Sequence, residues 1–127
     1  MPVKEKASND QNTDIPMSKD EGAKQHFDTV MKEIFKEKIT LVSEYGPVQM
    51  CVFGLTYLYP ELQYKILVEC ERGIFTICVE NSEGKRFYPQ MIYREADYYH
   101  CCDNEEHVKE AVTSIYRAIE TDEIVFK

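Results

Sequence analysis

The densest run of chemically versatile side chains is His100-Cys101-Cys102-Asp103, with His107 following. Two kinds of chemistry use such residues. A zinc site needs four tetrahedral nitrogen or sulfur ligands, usually as separated pairs of the C-x₂-C kind. Adjacent cysteines do not easily reach one ion together, and no second cluster completes the set, so no metal is expected. A nucleophilic cysteine needs an accessible thiolate at an electropositive point, often a helix N-terminus, with a histidine as base. Cys101 and Cys102 do precede a predicted helix, but Asp97, Asp103, Glu105 and Glu106 surround them with a negative field that works against a thiolate. The run reads as a strand end entering a helix cap. A thiol- or metal-dependent enzyme using His100, Cys101, Cys102 and His107 stands as the alternative of a different class.

Other catalytic patterns are missing. Gly22, Gly46, Gly54, Gly73 and Gly84 are dispersed, so no glycine-rich loop cradles a phosphate. Lysines and arginines are scattered, and acids are too common for a carboxylate pair to carry meaning. The expectation is a non-enzymatic protein with no cofactor and no catalytic residue. Two features do concentrate. From Glu95 to Glu123, nine acids face two bases, giving −7 of a whole-chain −8. There are also nine tyrosines and no tryptophan. Tyr57 and Tyr59 lie just before Pro60, and Tyr98 and Tyr99 cannot both face a core if that stretch is extended. Tyrosine beside acid suits an interface: rigid contact area, a hydroxyl handle and steering of a basic partner. The expected partner-binding residues are Tyr57, Tyr59, Tyr98, Tyr99, Asp97, Glu106 and Glu110.

These side chains need elements to hold them. Residues 1–17 read as a polar, disordered tail and 18–127 as one domain. Ser18 and Glu21 have the form of a capping box, and Phe27, Val30, Met31, Ile34 and Phe35 mark one face of a helix over about Asp20 to Glu37. Strand patterns follow: one from Ile39 closed by a Gly46-Pro47 turn, then Val48 to Leu55, Leu62 to Cys70, Ile74 to Val79, and Arg86 to Tyr93. Arg72-Gly73 predicts a hairpin turn, and Asn81 to Gly84 a second. Pro89 places its strand near an edge or bulge. Asp103 with Glu106 opens a last helix whose apolar stripe is Val108, Ala111, Val112, Ile115, Tyr116 and Ile119. Ile124 to Phe126 adds a short strand or docks. Phe27, Ile34, Val52, Ile66, Val68, Val112 and Ile115 are the expected core. The fold class is α+β: about five antiparallel strands with an N-terminal and a C-terminal helix on one face.

Composition limits the partners. The 127 residues carry 15 bases against 23 acids. Nucleic acid and anionic membranes both select for basic faces, so neither is expected, while a basic protein is. The N-terminus lacks a signal peptide's apolar stretch. With five cysteines, an odd number, the expectation is reduced thiols in a cytoplasm. In size, acidity, helix–meander–helix order and lack of a catalytic signature, 18–127 resembles the small immunity proteins of bacterial polymorphic toxins. That resemblance implies a cytoplasmic bacterial protein that binds and neutralises a basic partner toxin. Secretion chaperones share the outline and are the near alternative.

Overall fold

The apolar spacing from Phe27 to Phe35 does make a helix, α1 (Lys19–Phe35), continued by a 3₁₀ turn at Lys36–Lys38. A computed structural model describes residues 19–49, 52–91, 93, 101–102 and 104–126. The expected tail and the Ser18 cap lie outside them. Phe27, Val30, Met31 and Phe35 are buried, and Ile34 packs against them from a partly buried position.

Five strands follow: β1 (Thr40–Val48), β2 (Val52–Tyr59), β3 (Tyr64–Glu71), β4 (Ile74–Glu80) and β5 (Arg86–Phe87). They form one antiparallel meander in the order β1-β2-β3-β4-β5. α2 (Glu105–Glu120) then returns to the sheet. The fold is the expected α+β class, with strand limits that differ. Gly46-Pro47 does not end β1. The strand runs through it with a register shift between Tyr45 and Val48, so an irregularity absorbs what reads as a turn. Gly46 has φ +75°, and a Cβ there would strike the Val52 carbonyl oxygen and Phe53 Cα. β2 runs to Tyr59 rather than ending at Leu55. Leu62 belongs to a 3₁₀ turn (Pro60–Leu62), and β3 starts after it. β5 is two residues long, because Pro89 opens another 3₁₀ turn (Pro89–Met91). Arg72 and Gly73 both take positive φ between the paired Glu71 and Ile74, the geometry of a two-residue hairpin loop.

Strand alternation sorts the sheet into two faces. Phe53, Leu55, Tyr57 and Tyr59 of β2 meet Ile66, Val68 and Cys70 of β3 and Phe75, Ile77 and Val79 of β4 in one buried cluster. Both helices pack into that cluster. Phe27 of α1 meets Phe75 edge-on with ring centroids 4.8 Å apart, and Phe35 meets Tyr116 of α2 at 5.2 Å. Val108, Ala111, Val112, Ile115, Ala118 and Ile119 fill the α2 side. Ile124 and Phe126 dock on the core without forming a strand, Phe126 against the Tyr64 ring at 5.1 Å. Val52 departs from the expected core: it is only half-buried, since its place in β2 turns it away from the helices.

Candidate functional site

The second sheet face carries the odd members of the alternation: Val52, Gly54, Thr56 and Leu58, then Lys65, Leu67, Glu69 and Glu71, then Ile74, Thr76, Cys78 and Glu80. Neither helix covers it. Register aligns Tyr45, Gly54, Glu69 and Thr76 in one row across β1 to β4. Tyr45 lies over Gly54, where a Cβ would run into Cε1 and Cζ of the ring. Glycine at 54 therefore lets an aromatic ring lie along the sheet. Its neighbours are two carboxylates. Partial burial, then the charges of Glu69 and Glu71, push the Tyr45 hydroxyl above its ordinary pKa.

Tyr45, Glu69, Glu71 and Thr76 line a shallow hollow of about 580 Å³, with Val52 and Ile74 as apolar wall and Arg72 also in the lining. Tyr45, Val48 and Ile74 are 50%, 59% and 55% exposed. An aromatic ring, apolar walls and adjacent carboxylates suit a lysine or arginine: the stem packs on carbon, and the charge meets ring and carboxylate. Among the described residues, Glu69 and Glu71 make no ion pair. Other acids are committed: Glu44 to Lys24 at 2.6 Å, Asp28 to Lys32 at 2.9 Å, Glu80 to Arg86 at 3.2 Å.

The residues singled out from sequence scatter. Tyr57 and Tyr59 are core, not surface: they are 0% and 2% exposed. They share the helix-facing side of β2 with Phe53 and Leu55, and only their hydroxyls find polar partners. Tyr57 donates to Asp28 Oδ1 at 2.5 Å, and Tyr59 faces Glu120 Oε2 at 3.5 Å. Asp97, Tyr98, Tyr99 and His100 lie outside the described residues. Glu106 is exposed and Glu110 half-buried on α2, and neither lines the Tyr45 hollow. Part of the C-terminal acidity has local work. Glu120 binds Lys38 Nζ at 2.8 Å, Glu123 accepts from the Tyr93 hydroxyl at 3.0 Å, and Glu105 and Glu106 sit in the first turn of α2, where the helix dipole favours them.

The cysteine cluster runs from a β-bridge at Cys101 into the α2 cap, as expected, but with a different cap residue. The cap of α2 is Asn104, whose side chain accepts from the His107 N–H at 3.0 Å, rather than Asp103. His107 Nδ1 accepts from the Cys101 N–H at 3.3 Å. Cys102 is buried with its Sγ 3.1 Å from that of Cys70. Among the described residues no group of three or more His, Cys, Asp or Glu is placed to hold a metal ion. No helix among them is long and apolar enough to cross a membrane.

Sequence reasoning missed Tyr45, Gly54, Glu69 and Glu71. The one signal present was the wet face of β3, where Lys65, Glu69 and Glu71 alternate with the core residues. No protein-family model matches the chain, and neither a curated protein nor a solved structure does.

Proposed function

We propose that the chain is a non-enzymatic binding protein that takes a basic segment of another protein onto the uncovered sheet face. The observation that carries this reading is the Tyr45–Gly54–Glu69–Thr76 row, a ring laid on a glycine with Glu69 and nearby Glu71 beside it, neither carboxylate in an ion pair among the described residues. Leaving Tyr45, Val48 and Ile74 open to water has no benefit for folding, whereas a partner that covers them removes apolar area from solvent. A net charge of −8 favours fast encounter with a basic partner. Neutralising a basic toxin, as the immunity-protein resemblance implies, uses such a surface. So does holding a basic segment of a secreted effector.

Selecting a displayed library of random peptides on the immobilised chain tests this. Enriched peptides should combine Lys or Arg with apolar neighbours, and should be lost on Glu69→Gln/Glu71→Gln and on Tyr45→Ala. Enrichment of acidic peptides, or equal binding to those variants, would overturn the proposal.

A further inference from the structure

Cys70 and Cys102 are 32 residues apart in the chain, yet their Sγ atoms are 3.1 Å apart and both residues are 2% exposed. A disulfide has sulfurs about 2.05 Å apart, so an approach of about 1 Å completes the bond. Backbone contacts already hold the two segments together: the Cys102 N–H donates to the Gly73 carbonyl at 2.9 Å, and Cys101 bridges to Ile74. We infer that Cys70 and Cys102 are a site of reversible disulfide formation, oxidised by exchange with a low-molecular-weight disulfide such as oxidised glutathione. The inference does not depend on the binding surface.

The two thiols are not equivalent in access. Cys70 sits in β3, hydrogen-bonded to β2 on one side and β4 on the other. Cys102 precedes α2 and adjoins the half-buried Cys101, so a local opening exposes it without unpairing the sheet. Cys102 therefore reacts first. Its thiolate attacks one sulfur of the small disulfide, the other sulfur leaves as a thiolate, and a mixed disulfide remains on Cys102. When the segment closes, the Cys70 thiolate attacks the Cys102 sulfur and expels the second small thiol. The protein loses two protons and two electrons, and the small disulfide is reduced to two thiols. The product ties the entry of α2 to the centre of the sheet.

The test is to incubate the native full chain with oxidised glutathione, quench in acid and map the unreduced peptides by mass spectrometry. The expected product is one cross-linked pair containing Cys70 and Cys102, with Cys78 still alkylatable after unfolding. Cys70→Ala should instead accumulate glutathione on Cys102. A link between Cys101 and Cys102, a link through Cys51, or both Cys70 and Cys102 still alkylatable after prolonged incubation would overturn the inference. Mapping the unaltered chain decides the matter even if Cys70→Ala does not fold.

Discussion

Tyr57 shows how one residue serves two demands. Its ring belongs to the core, and its hydroxyl reaches Asp28, which also binds Lys32. Burial, then the hydrogen bond to Asp28, push the phenol well above its ordinary pKa. Tyr57→Phe keeps the ring and leaves Asp28 Oδ1 without its donor, so it should cost about 1–3 kcal/mol in urea unfolding. Cys78 gives a pH signature. It lies on the sheet face away from the helices, is 4% exposed, and burial raises its thiol from 9.0 to about 11. The folded state then holds the proton more tightly than the unfolded chain. Its contribution is complete below about pH 9 and is lost as pH rises towards 11. Cys78→Ala should flatten the fall of stability over that window, and an unchanged slope would remove Cys78 as a cause. Tyr57 and Tyr59 were misread from sequence because the apparent end of a strand before Pro60 suggested exposure. The alternation Phe53, Leu55, Tyr57, Tyr59 carried the right answer, and β2 simply continues until Pro60.

At the scale of elements, α2 is the part whose sequence and structure agree most closely. Its stripe is buried as spaced except for the partly buried Tyr116, with Ile115 at 0% exposure. Ile115→Ala should cost about 2–5 kcal/mol. Asn104→Ala, which removes the cap, should cost about 1 kcal/mol. Periodicity makes helices legible because one stripe records one packing face. Strand ends are less legible, since a glycine–proline pair reads as a turn until register shows a strand running through it. β1 illustrates this, and its two glycine contacts separate fold from site. Gly46→Ala meets backbone at positive φ and should destabilise by more than about 1 kcal/mol. Gly54→Ala meets the movable ring of Tyr45 first, so it should shift tyrosine fluorescence while leaving the unfolding midpoint nearer to the wild type.

For the whole molecule, the decisive fact is that both helices pack on one side of a five-stranded sheet. Strand patterning reveals that a sheet exists, and composition that acids outnumber bases. It does not reveal which strand face stays open, because that choice is made by helix docking. The acidic C-terminal stretch stands out in the sequence because charge density is readable along a chain. The Tyr45 hollow was invisible because its residues come from four strands, β1 to β4, and meet only through register. The most direct test follows backbone amide NMR signals of the ¹⁵N-labelled chain as a peptide rich in arginine and apolar residues is added, with a glutamate-rich peptide as control. The account predicts shifts concentrated at Tyr45, Gly54, Glu69 and Thr76, weakened by salt, with the Glu106 and Glu110 signals still. Shifts confined to α2, or none with the basic peptide, would contradict it.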